Sequence, residues 1–121
     1  MAKILIVDDD TTITELMKAL VKMDGHEPII VNDSLQAMDI ARSTSPDLIT
    51  LDLMMPGLNG FELCELLHKD PGFSTTPILI ISAKDDQQSK GKALALGARD
   101  YMTKPFDVDE FLEKVKFFLR V

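Results

Sequence analysis

The stretch Asp47-Leu48-Ile49-Thr50-Leu51-Asp52 constrains the fold more than any other part of the chain. Its central four residues are apolar or β-branched, which suits a strand covered on both faces. It delivers a carboxylate at its C-terminal end, and Leu53-Met54-Met55-Pro56-Gly57 follows, a loop that cannot continue the strand. A strand of this kind belongs in an open parallel sheet, where ligands and chemistry collect beyond the carboxyl ends of the strands. Taken alone, Asp52 has two readings: a residue standing in that crevice, or a common turn residue that ends a strand.

The length of 121 residues suits one domain with a single core, and the expectation is one domain over residues 1–121. A hydrophobic content of 45% provides enough apolar material for a packed interior. The formal net charge of -7 argues against direct nucleic-acid binding, which needs a basic footprint, and it is congenial to a magnesium ion. Cys64 is the one cysteine, so no internal disulfide can form and a reducing compartment is expected. It falls at an apolar position of a helix and reads as a core thiol. The N-terminal run Met1-Ala2-Lys3-Ile4-Leu5-Ile6-Val7 lacks the pattern of a signal peptide. No apolar run approaches the ~20 residues of a membrane helix. These features predict a cytoplasmic protein with no membrane association.

Ile4-Leu5-Ile6-Val7 reads as a first buried strand, followed at once by Asp8, Asp9 and Asp10. Thr12 and Glu15 have the spacing of a capping box, and Ile13, Leu16, Met17, Leu20 and Val21 form one helical stripe. Gly25 ends that helix, and Glu27-Pro28-Ile29-Ile30-Val31 is the second strand. Asp33-Ser34 can cap a second helix carrying Leu35, Ala37, Met38, Ile40 and Ala41, closed by Ser45-Pro46. After the central strand, Asn59 precedes a third helix with Phe61, Leu63, Cys64, Leu66 and Leu67. A polar link over 70–76 leads to a fourth strand, Pro77 to Ser82. A weakly amphipathic helix follows over 86–96, stopped by Gly97, and Asp100-Tyr101-Met102-Thr103 is a short fifth strand. Asp107 with Glu110 caps the last helix, which bears Phe111, Leu112, Val115, Phe118 and Leu119. Five strands alternating with five helices predict a doubly wound α/β fold with a five-stranded parallel sheet.

Such a sheet gathers its strand ends near the point where strand order reverses. The first strand ends at Asp8-Asp9, the third at Asp52, the fourth at Ser82 and the fifth at Lys104. The second strand, ending at Asn32-Asp33, contributes no obvious member. Three carboxylates in one cleft repel each other unless a cation joins them. Mg²⁺ suits that role, with a few carboxylates, a carbonyl and waters in octahedral array. Lys104 adds a second positive charge that can hold a phosphoryl group on Asp52. A carboxylate accepting phosphate is a known form of covalent catalysis, and Ser82 is placed to hydrogen-bond a phosphoryl oxygen. Each feature has a plainer reading, an acidic helix cap or a Lys-Pro surface turn, but their joint occurrence at four strand ends favours a site.

The sequence resembles the receiver domain of bacterial two-component response regulators. The resemblance is carried by Val7-Asp8-Asp9, Asp47 to Gly57, Ile80-Ile81-Ser82-Ala83, Gly97-Ala98 and Tyr101-Met102-Thr103-Lys104-Pro105-Phe106, and it runs from residue 3 to residue 119. It implies a flavodoxin-like (βα)5 fold with strand order 2-1-3-4-5. It implies that Asp52 is the phosphoacceptor and that Asp9 and Asp52 bind Mg²⁺ directly, with Asp8 acting mostly through water. The backbone carbonyl of Met54 completes the protein ligands. Ser82 corresponds to the hydroxyl switch residue, Tyr101 to the aromatic switch and Lys104 to the phosphate-pairing lysine, with Lys104-Pro105 a cis peptide. Phosphorylation is expected to move Tyr101 from outside to inside. The implied partners are a histidine kinase or histidine phosphotransfer protein, a downstream target reached through residues 84–106 and the last helix, and a second copy in a weak dimer on phosphorylation. Positions 54 and 84 tune phosphate loss in the family and are Met and Lys here.

Three other functions compete with this one. A phosphatase of the haloacid dehalogenase type needs a second Asp two residues after the nucleophile, where Met54 cannot transfer a proton. A flavodoxin cradles phosphate after the first strand, where Asp8, Asp9 and Asp10 would repel it. A non-switching adaptor would have the fold without the chemistry. The leading reading is a signalling switch that catalyses its own phosphorylation and slow dephosphorylation, either alone or as a fragment of a larger regulator with an effector domain.

Overall fold

The computed structural model describes residues 1–120; Val121, the last residue of the expected domain, lies outside the described residues. Five strands and five helices alternate along the chain. They are β1 (Lys3–Val7), α1 (Thr11–Met23), β2 (Glu27–Val31), α2 (Ala37–Thr44), β3 (Leu48–Leu51), α3 (Gly60–Lys69), β4 (Ile78–Ser82), α4 (Gln87–Ala95), β5 (Asp100–Thr103) and α5 (Val108–Leu119). The strands form one parallel sheet in the order β2-β1-β3-β4-β5, as the resemblance implied.

Side-chain alternation along each strand divides the interior into two layers. Leu5, Val7, Ile49, Leu51 and Ile80 face one way and pack with Ala37, Ala41, Leu63, Cys64, Leu67 and Ala93 from α2, α3 and α4. Ile4, Ile6, Leu48, Leu79 and Ile81 face the other way and pack with Met17, Leu20, Val21, Phe111 and Val115 from α1 and α5. β3 and β4 are buried along their whole length and β1 along all but Lys3, which explains their largely apolar sequence. Cys64 is a buried core thiol, pushed up to about 11 chiefly by burial.

Several local expectations are corrected. Helix α1 is capped by Asp10, whose carboxylate accepts from Thr12 N and Ile13 N, and not by a Thr12–Glu15 box. An Asp placed before two threonines wins because it starts the helix two residues earlier and leaves Thr12 inside the first turn. Asp33 caps a short 3-10 turn, Ser34–Gln36, and the α-helix begins only at Ala37. Leu16, Leu35, Leu66 and Leu94, expected on apolar helical stripes, are exposed to solvent. Conversely, Phe73 in the polar link is buried against the core, and the tight turns around it satisfy its backbone neighbours. The Lys104–Pro105 bond is cis, as the resemblance implied.

Candidate functional site

The ladders do more than build the sheet: each continues one residue past a strand end and thereby places a side chain. Asp8 N–H donates to Val31 O at 3.1 Å, Asp52 N–H to Val7 O at 3.0 Å and Lys104 N–H to Ser82 O at 2.8 Å. Asp8, Asp52 and Lys104 are thus fixed by the last rungs of three different strand pairs. All three side chains converge. Lys104 Nζ lies 2.6 Å from Asp8 Oδ2 and 3.4 Å from Asp52 Oδ2.

The second oxygen of each carboxylate is also engaged. Asp8 Oδ1 accepts from Asp10 N at 3.0 Å, and Asp52 Oδ1 accepts from Met54 N at 3.2 Å. Both are local turns closed by the aspartate on its own backbone. Asp8 and Asp52 are only 3% and 6% exposed, whereas Asp9 faces solvent. Carboxylate oxygens of Asp8, Asp9 and Asp52 lie within 4.8 Å of one another. Three hard oxygen donors at the open end of a cleft fit a small divalent cation such as Mg²⁺. Among the described residues this is the one such cluster of three acidic or metal-ligating side chains.

Electrostatics in the cleft follow from burial. Desolvation is the largest influence on Asp8 and raises its carboxyl above the usual range; the Asp52 charge adds to this, while Lys104 and Asp10 N–H oppose it. Burial alone would depress the Lys104 ammonium, but its bonds to Asp8 and the charge of Asp52 outweigh that and raise it. Lys104 is therefore a cation across the physiological range.

Gly60, which carries no group that marks a site, sets its back wall. A Cβ there would meet Asp52 O at 2.2 Å and Leu53 Cα at 2.4 Å, both backbone atoms. Only glycine lets the first turn of α3 lie this close to the end of β3, and Gly60 N–H donates to Leu53 O at 3.1 Å. The Asn59-Gly60 pair ahead of an apolar helix was the available signal. Asn59 Oδ1 caps α3 by accepting from Glu62 N.

Ser82 ends β4 fully buried, its hydroxyl accepting from Lys84 N at 3.3 Å. Met54, two residues past Asp52, is 56% exposed. Tyr101, half-buried on β5, packs against the α2–α4 side of the core and donates its phenol O–H to Lys84 O at 2.5 Å. The ring finds apolar contact and its hydroxyl finds an acceptor, so both ends of an amphipathic side chain are satisfied inside.

This arrangement can be compared with known proteins. The family model for the response regulator receiver domain matches residues 4–116. The chain belongs to the response regulator receiver family. As a receiver domain it is a phosphorylation-activated switch of two-component systems. It is 39% identical over 120 residues to the DNA-binding dual master transcriptional regulator RpaA of Synechocystis sp., covering 99% of this chain and 50% of that protein. It is 42% identical over 118 residues to the alkaline phosphatase synthesis transcriptional regulatory protein PhoP of Bacillus subtilis, covering 98% and 48%. The receiver domain therefore spans about half the length of these curated relatives. Among solved structures, the receiver domain of Francisella response regulator 1452 superposes with a TM-score of 0.92 at 32% identity, covering 99% of this chain and 98% of that one. No helix among the described residues is long and apolar enough to cross a membrane.

Proposed function

We propose that this receiver, acting as one unit over its whole length in the cytoplasm, takes a phosphoryl group onto Asp52 from a histidine kinase or histidine phosphotransfer protein. The observation that carries the reading is the placement of a nearly buried carboxylate beside two further acids with the Lys104 ammonium 3.4 Å away. Of the two buried acids, Asp8 is held tightly by Lys104 and Asp10 N–H, while Asp52 has the looser contact with the lysine and the freer oxygen.

In the transfer an Asp52 oxygen forms the new P–O bond as the P–N bond to the donor imidazole breaks, and the imidazole leaves with a proton. Lys104 holds one phosphoryl oxygen as charge develops, and Ser82 donates to another once its hydroxyl turns from Lys84 N. Asp9 and Asp52, with the Met54 carbonyl, would hold Mg²⁺, and Asp8 would act mostly through water. When bound, the ion neutralises the clustered acids and the incoming phosphate. Tyr101 and Ser82 report the modification to residues 84–106 and α5, the surface offered to a target and to a second receiver in a weak dimer. A second reading, favoured by the names of the relatives RpaA and PhoP, joins the receiver to a DNA-binding effector, so that the phosphoryl signal controls transcription.

Incubation with a small-molecule phosphodonor and Mg²⁺ should add one phosphoryl group to the intact mass, and Asp52→Asn should abolish the addition. Undiminished uptake by Asp52→Asn would overturn the assignment.

A further inference from the structure

We propose that Asn32, at the end of β2, is a positioning residue for the acidic turn Asp8–Asp10, with Thr14 as its support; this rests on the reading of that turn as part of a Mg²⁺ site. The Asn32 side-chain amide donates twice, to Asp8 O at 2.8 Å and to Thr14 Oγ1 at 3.1 Å. Thr14 is buried on α1, and its hydroxyl donates onward to Thr11 O at 3.2 Å, which leaves its oxygen free to accept. Asp8 N–H is already taken by Val31 O at 3.1 Å. The end of β2 therefore grips Asp8 on both sides, through its amide and its carbonyl.

The consequence falls on Asp9. The Asp8 carbonyl belongs to the planar Asp8–Asp9 peptide, so fixing that oxygen fixes the direction in which the chain enters Asp9. Asp8 and Asp52 each have their carboxylates anchored by a backbone N–H and by Lys104. Among the described residues no protein hydrogen bond holds the Asp9 carboxylate, although it reaches within 4.8 Å of the other two. Its aim depends on its backbone, and Asn32 sets that backbone. Asn32 is not needed as a turn cap, since Asp33 fills that role by accepting from Leu35 N at 3.0 Å. Loss of a group that orients metal-binding residues weakens metal affinity.

The test is a Mg²⁺ titration of the wild-type receiver, Asp9→Ala, Asn32→Ala, Thr14→Val and Thr14→Ser, followed through the amide resonances of residues 8–10 and 52. Thermal midpoints are taken in parallel in EDTA. Asn32→Ala should raise the Mg²⁺ Kd roughly tenfold while remaining folded at the titration temperature. Thr14→Val, which keeps the shape and removes the acceptor, should move in the same direction, and Thr14→Ser should stay near wild type. A Kd for Asn32→Ala within about twofold of wild type would overturn the inference. So would Thr14→Val and Thr14→Ser binding alike. If wild type shows no saturable response, the metal reading itself fails and the inference falls with it. If wild type responds, Asp9→Ala does not and Asn32→Ala matches wild type, the inference alone fails.

Discussion

Lys104 is bonded more closely to Asp8, at 2.6 Å, than to the proposed acceptor Asp52, at 3.4 Å. The lysine relieves only part of the repulsion among the acids, and Asp8 is still pushed up, first by its own burial. A carboxyl raised in the folded state binds more protons there than in the unfolded chain. Its charge therefore costs stability as pH rises above its ordinary 3.8, and the cost is complete above its folded value. Repulsion between carboxylates whose oxygens lie within 4.8 Å is worth about 3–4 kcal/mol at an effective dielectric near 20, and loss of the Lys104 bond takes part of that back. Asp8→Asn should stabilise the metal-free receiver by about 1 kcal/mol at pH 7 and by less near pH 4. Urea unfolding in EDTA at the two pH values checks this; destabilisation at pH 7 would contradict it.

Tyr101 is the one tyrosine of the chain, so its titration can be read directly in the ultraviolet. Burial is the largest influence raising its phenol, and nearby Asp86 and Asp52 push the same way. The absorbance midpoint should lie above the ordinary 10.0. Because the raised group is protonated in the folded state, the receiver should lose stability as pH climbs from 10.0 through that midpoint. A midpoint at or below the ordinary value would show that the ring is not held against Lys84 O.

The exposed Met54 side chain offers no hydrogen bond to a water approaching a phosphoryl group on Asp52. Met54→Asn should speed dephosphorylation roughly tenfold by supplying one. The decay of the phosphorylated protein, followed by intact mass, gives the rate, and an unchanged or slower decay would count against it.

Gly60→Ala should destabilise the fold by about 2–3 kcal/mol, because its Cβ would press on backbone atoms of Asp52 and Leu53 that cannot move aside cheaply. The same displacement should slow phosphoryl uptake. A variant as stable as wild type would mean that the first turn of α3 can retreat from β3.

The sheet was legible because its central strands are short and apolar on both faces and each of the five strands is followed by a helical pattern, a combination with few alternative folds. The convergence of Asp8, Asp9, Asp52 and Lys104 was legible for the same reason, since the sheet order dictates which ends meet. Asn32 and Gly60 were not. Asn32 works through its amide on a backbone oxygen, and Gly60 through the absence of a side chain, so neither presents a chemical group that marks a site. The cap at Asp10 was hidden among three adjacent aspartates, each able to cap. Tyr101 could be placed on β5 from sequence, but its rotamer depends on the Lys84 carbonyl one strand away, which no local pattern encodes.

Asp52 as the phosphoacceptor is the claim on which the rest depends, and trapping the acyl phosphate tests it most directly. The receiver is treated with a small-molecule phosphodonor and Mg²⁺, reduced with borohydride and digested. Peptide mass spectrometry should find homoserine at position 52, the product of reducing an aspartyl phosphate, with Asp8 and Asp9 unchanged. Homoserine at position 8 or 9 with position 52 intact would contradict it.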